Sequence, residues 1–245
     1  MGTEMAGTNK PWRPRLTRRE KRVGWCFFAL YLFVLPFLVE GAVGYLERRL
    51  DLTFTAAQSR AVYYTIILLL LIAVFWDFLR NALTILRENF RPSFFIFGAG
   101  LLVGLGLTCL AGAIPLPVEN PARTLYREEY FLAGGATFAV VVLLRPAVEE
   151  ILFRGLVFGA LCKKSRVLAY ALSAGLFALS TVWLYVLYGA DPDYQASPAF
   201  LLLMIQYLPL GLVECWVYDV SGSVYTPMAL RMALQAAFLI FALMV

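Results

Sequence analysis

Arg145-Pro146-Ala147-Val148-Glu149-Glu150-Ile151-Leu152-Phe153-Arg154 places four formal charges in ten residues, between the apolar runs 136–144 and 155–161. A charged side chain at bilayer depth costs about 2.5–3.5 kcal/mol on insertion scales, so such a segment requires a reason. On a helix, Arg145 stands one turn before Glu149 and Glu150 one turn before Arg154, giving two opposite-charge i,i+4 pairs. Two readings follow. One is a self-neutralised helix whose charges only pair and pack; the other is a catalytic carboxylate pair facing a wet cavity inside a membrane.

The rest of the chain makes the membrane setting firm. Of 245 residues, 61% are hydrophobic, and the mean hydropathy is +0.75; soluble domains lie nearer 45–50% apolar. Apolar runs of about 20 residues without β-type alternation leave helices as the spanning elements. The expected fold class is therefore all-α: a polytopic transmembrane helical bundle of about seven spans, with a basic tail at 1–22 and a single transmembrane domain at 23–245.

The spans read as 23–45, 61–78, 94–116, 130–161, 167–187, 200–217 and 224–245. The fourth is too long for one straight crossing of a ~30 Å core at 1.5 Å per residue. Pro146 lies inside it and removes a backbone donor, which predicts a bend there, or an eighth span if the segment breaks. Gly100 and Gly104 form a lone G-x-x-x-G, a pattern that lets helices approach closely. The segment after the second span, with Arg80, Arg87 and Arg91 against Glu88, reads as a loop, and Asp191-Pro192-Asp193 as an acidic turn.

Charge asymmetry sets the expected orientation. The net charge of +5 is concentrated at the start, where Lys10, Arg13, Arg15, Arg18, Arg19, Lys21 and Arg22 precede the first span. With Lys163, Lys164 and Arg166 after the fourth span, the positive-inside rule predicts a multi-pass cell-membrane protein with a cytoplasmic N-terminus. It also predicts a charged site that opens toward the cytoplasm. The bilayer is the first expected partner, and no folded module supports nucleic-acid binding.

The chain has no histidine. That excludes His-ligated zinc sites, Ser-His-Asp triads and Cys-His dyads. Cys26, Cys109, Cys162 and Cys215 are scattered, with no C-x-x-C pair to hold a metal. The expectation is no cofactor and no metal.

At Glu149-Glu150-x-x-x-Arg154-Gly155 the sequence resembles the CPBP family of intramembrane glutamic proteases, also called CAAX-protease or bacteriocin-self-immunity (Abi) proteins. The family pattern is E-E-x-x-x-R on one span, F-x-x-x-H on the next and H-x-x-x-N/B two spans later. Here Phe177-Ala-Leu-Ser-Thr181 falls on the second motif and Arg231-x-x-x-Gln235 on the third, so the resemblance covers about 130–245. Both family histidines are missing, replaced by Thr181 and Arg231, and Gln235 replaces the Asn. The resemblance implies metal-independent hydrolysis of a membrane-associated peptide. Glu149 is the implied general base beside Glu150 and Arg154, and the third-motif residues are the implied oxyanion donors.

The substitutions alter that chemistry. Threonine orients a water but does not take its proton as imidazole does, and arginine is permanently charged and able to occupy the base. The expected protein is a peptidase-like member with impaired activity. The alternatives are a non-catalytic immunity or partner-binding protein of the same fold, or a small transporter. Among the bland assignments, Thr181 bonds the carbonyl one turn back in its own helix, Arg231 forms a buried ion pair with Glu214 or Glu150, and Gln235 is interhelical glue.

Overall fold

The computed structural model describes residues 16–51, 53–188 and 196–244, and no strand occurs among them. Lys10, Arg13, Arg15 and the Asp191–Asp193 turn lie outside the described residues. Six helices are long and apolar enough to cross a membrane, and a seventh span is present if one bent pair counts as a single crossing. The all-α polytopic bundle expected from the sequence is the observed fold.

The chain begins with α1 (Arg18–Phe33) and α2 (Leu35–Leu50). Thr17 and Glu20 close a capping box that starts α1. The first span is not one straight helix: it is bent by 62° between α1 and α2. Pro36 sits in the first turn of α2; its missing N–H leaves the carbonyl four residues back without a helical donor, which ends α1.

A second capping box, Thr55 with Gln58, starts α3 (Ala56–Val74). The segment read as a loop is instead a helix, α4 (Trp76–Glu88), which buries Phe78, Leu79, Ala82 and Ile85 on one face. Arg80, Arg87 and Glu88 lie on its exposed face. Then follow α5 (Phe90–Gly112) and α6 (Ala122–Phe138). In α5, Gly100 and Gly104 face Val217, Leu230 and Leu234, so the lone G-x-x-x-G is an internal packing seam.

The charged segment occupies one continuous helical run, Thr124–Leu161. After α6 come a π-helical stretch (Ala139–Leu144), α7 (Arg145–Glu150), a second π-helical stretch (Ile151–Phe158) and the short α8 (Gly159–Leu161). The non-helical backbone falls at Ala133, beside Gly134-Gly135, rather than at Pro146. Pro146 stands in the first turn of α7, directly after the wide π turn, where its missing donor and bulk are accommodated without a break.

The bundle is completed by α9 (Arg166–Tyr188), a 3-10 turn (Pro198–Leu203), α10 (Met204–Ser221) and α11 (Tyr225–Met244). Helix α10 packs between α9 and α5, and α11 packs on α5 and on α6 with its π stretch.

One end of the bundle carries Arg18, Arg19, Arg22, Arg80, Arg87, Lys163, Lys164 and Arg166; it is called the basic end below. It is sealed inside by Phe75, Phe78, Phe153 and Phe158, all buried. Glu20 joins two helices there: one carboxylate oxygen accepts from Thr17 N–H at 2.7 Å and the other from Phe78 N–H at 2.9 Å. Outward, side chains such as Phe95, Leu102, Leu132 and Val167 are exposed, the surface expected of helices bathed in lipid.

Candidate functional site

Glu149, Glu150, Arg154 and Arg231 meet inside the bundle, and Glu214 from α10 joins them. These five residues are 0–2% exposed. The first-named pair lies on α7, Arg154 on the second π stretch, and Arg231 on α11.

Their contacts form a chain of alternating sign. Arg145 Nε lies 2.8 Å from Glu149 Oε1. Glu149 Oε2 lies 2.6 Å from Arg231 Nη2. Arg231 Nη1 lies 3.0 Å from Glu214 Oε1. The other Glu214 oxygen pairs with Arg154 Nη2, which also donates to the Gly211 carbonyl at 3.2 Å. Arg154 Nη1 ends the chain 2.9 Å from Glu150 Oε1.

Three arginines thus compensate three glutamates, which answers the desolvation cost that isolated buried charges would incur. Phe177 supports the middle of the chain: the guanidinium carbons of Arg231 and Arg154 lie 4.1 and 4.8 Å from its ring centroid.

The two ends of the chain differ. Glu150 is the dead end. Its contact with Arg154 is an ion contact without hydrogen-bond alignment, and neither of its oxygens has a hydrogen-bond partner. The reason is local: the π-helical turn begins at Ile151 and its wider winding carries Arg154 round toward α10. Arg145 is the open end. Its side chain keeps 19% exposure, and its Nη1 donates to the Tyr126 hydroxyl at 2.9 Å.

The polar route from Arg145 continues away from the basic end. Asn120 donates to Gln206 and Tyr207, and Arg60 pairs with Glu129 across α3 and α6. Arg145, the least buried member of the chain of charges, and these polar contacts lie on the side of the site away from Lys163, Lys164 and Arg166. At the basic end the packed phenylalanines close it. Nor do the carboxylates line an open wet cavity, because their oxygens are buried among arginines.

The other two expected site residues stay apart from the ion-pair chain. Thr181 Oγ1 donates to the Phe177 carbonyl in its own helix at 3.1 Å. Gln235 is half-buried one turn beyond Arg231 and makes no hydrogen bond to the charged residues among those described. Conversely, Tyr126, Gly211 and the ring of Phe177 contribute to the site without a charge signal in the sequence. Glu214 and Arg145 were visible as charges in apolar runs.

The fold and site together define the class as a polytopic helical membrane bundle with a buried E-E-x-x-x-R segment at its centre. Residues 132–237 match the family model described as type II CAAX prenyl endopeptidase Rce1-like, in line with the CAAX-protease (CPBP) resemblance of the sequence. The span runs from the second half of α6 into α11 and takes in all six residues of the three motifs. No curated protein and no solved structure matches the chain.

Proposed function

We propose that this protein is a CPBP-type membrane protein whose inherited hydrolytic site is closed, and that it acts by binding a membrane-associated peptide or protein rather than by cleaving one. One observation carries the reading: Glu149, the base implied by the resemblance, has one oxygen on Arg145 and the other on Arg231. A general base needs a free lone pair within hydrogen-bond reach of the water it activates. Two cations occupy both oxygens of this carboxylate. The residue at the second histidine position is itself one of the two clamps.

Thr181 and Gln235 do not compensate. The threonine hydroxyl proton is committed to a backbone carbonyl, and there is no imidazole anywhere in the chain. Losing an acid–base partner typically costs 10²–10⁴-fold in rate. The chain is placed in the cell membrane with its basic end in the cytoplasm, from the positive-inside rule.

The test uses the full-length protein reconstituted in vesicles with internally quenched peptides, with and without a prenyl group. Hydrolysis at the level of empty vesicles, unchanged by Glu149→Ala, is the expected result. Cleavage by the wild type that disappears in Glu149→Ala overturns the reading and restores the peptidase.

A further inference from the structure

The basic end carries a second concentration of charge, on the outside of the bundle. Arg18, Arg19 and Arg22 stand on the first turns of α1, Arg80 and Arg87 on α4, and Arg91 in the first turn of α5. All six are exposed, and Lys163, Lys164 and Arg166 continue the exposed rim at the start of α9. The acids of this end are mostly committed. Glu20 is buried with its two oxygens on backbone N–H groups, and Asp219 is paired with Arg166. Setting that pair aside, six arginines and two lysines face the exposed acids Asp77 and Glu88, and none of them is in an ion pair among the described residues.

The same end is an edge of the apolar shell. On α1 one exposed stripe runs Arg18, Arg22, Trp25, Ala29 and Phe33, from charge through indole to apolar surface. Arg91 gives way to the exposed Phe94 and Phe95 on α5, and Arg166 to the exposed Val167 on α9. Cations above, aromatic and apolar side chains below, is the order of a membrane–water interface. Three helices show it at one end, so the boundary lies about one turn inside these arginines. Helix α4 joins two spans on this side: Ala56–Val74 ends before it and Phe90–Gly112 starts after it. Its 13 residues reach about 20 Å, too short for a ~30 Å core. Its apolar face is buried against the bundle and its arginines are exposed, the layout of a helix held at the interface.

Glu20 fixes where the charges meet. Its carboxylate holds the first turn of α1 on Phe78 N–H in the first turn of α4. Gly24 keeps the two elements close, since a Cβ there would stand 2.6 Å from Phe75 Cζ. Arg19 and Arg22 lie within two residues of Glu20, and Arg80 lies two residues past Phe78. The fold therefore holds like charges of two helices around one buried contact. An anion from outside relieves their repulsion. One that carries acyl chains meets the cations and the apolar surface just below them at once, whereas a water-soluble polyanion meets the charge alone.

We propose that the rim where α1 meets α4 is a docking surface for the headgroups of anionic phospholipids, with Arg22 and Arg80 as the phosphate contacts. The lipid supplies the negative charge that this end of the protein lacks. The proposal is independent of whether Glu149 is catalytic.

A fluorophore on Cys26, exposed one turn after Arg22, tests it in the full-length protein. Cys109→Ala with Cys162→Ala leaves Cys26 as the exposed thiol, and the labelled protein is placed in phosphatidylcholine vesicles. Spin-labelled phosphatidylglycerol is expected to quench the label about fivefold more effectively than spin-labelled phosphatidylcholine, the factor that one cation near a membrane surface supplies. About 1 M salt, with a screening length of about 3 Å, removes most of that preference. Arg22→Gln with Arg80→Gln is expected to bring the two lipids near parity at an unchanged unfolding temperature. Arg22→Lys with Arg80→Lys keeps the preference because charge is retained, and Arg48→Gln, on the last turn of α2, leaves it unchanged. Equal quenching by the two lipids in the wild type overturns the proposal, as does a preference that survives the glutamine pair or is lost in the lysine pair. Shielding of the label by soluble polyglutamate, without a preference for phosphatidylglycerol, marks a face for an acidic protein and overturns it too.

Discussion

Arg231 Nη2 and Glu149 Oε2 lie 2.6 Å apart, although 82 residues separate them in the chain. The pair joins α11 to α7 at the centre of the bundle and closes the carboxylate that the family resemblance marks as the base. Arg231 also donates to both oxygens of Glu214. Removing it takes one of its two cations from each of two buried carboxylates and leaves three glutamates facing two arginines.

Arg231→Met is therefore expected to destabilise the protein by about 3–5 kcal/mol, the range for breaking one partner out of a buried pair. Thermal unfolding in detergent measures it. Adding Glu214→Gln to Arg231→Met is expected to cost less than the sum of the single variants, because the two side chains touch. Additive costs would show that the chain of charges is not energetically connected.

Glu20 caps its own helix and α4 at the same time. A cap lost to alanine costs about 0.5–2 kcal/mol, and the cross-helix bond to Phe78 N–H puts Glu20→Ala at the upper end. Hydrogen exchange should speed up at the first turns of both α1 and α4 together. Faster exchange in α1 alone would show that the bond to Phe78 contributes nothing.

Thr181→Val is expected to be nearly silent. Its hydroxyl bonds the carbonyl of Phe177 one turn back, a bond that bends helices slightly and adds little stability. Unfolding temperature and background peptide hydrolysis should both match the wild type. A measurable fall in hydrolysis would place that hydroxyl on a reacting water and revive the catalytic reading.

Gly100 is packed so closely that a Cβ would stand 2.7 Å from Val217 Cγ2. The valine branch has little room to move, and overpacking typically costs about 1–3 kcal/mol. Gly100→Ala should lower the unfolding temperature within that range. Gly106→Ala, on the same helix with open space around it, serves as the neutral comparison.

Much of this architecture was legible in the residues. Apolar run lengths fixed the helical spans to within a few residues, because backbone groups in lipid must pair within their own segment. The i,i+4 spacing announced Arg145–Glu149, and Glu214 was one of two partners expected for Arg231, the other being Glu150, which it does not meet. Even α4 was written in the spacing of Phe78, Leu79, Ala82 and Ile85, but its arginines masked the apolar face and made it read as a loop.

The sequence by itself determined that the chain is a helical membrane bundle with a charged centre and no imidazole chemistry. Composition and spacing are properties of the chain alone, so they needed no partner to be read. Only the tertiary structure decided which arginine meets which glutamate, and that Arg231 and Arg145 take one oxygen each of Glu149. Those outcomes depend on helix rotation, and the π-helical turns on either side of α7 set that rotation by winding that no residue pattern announces.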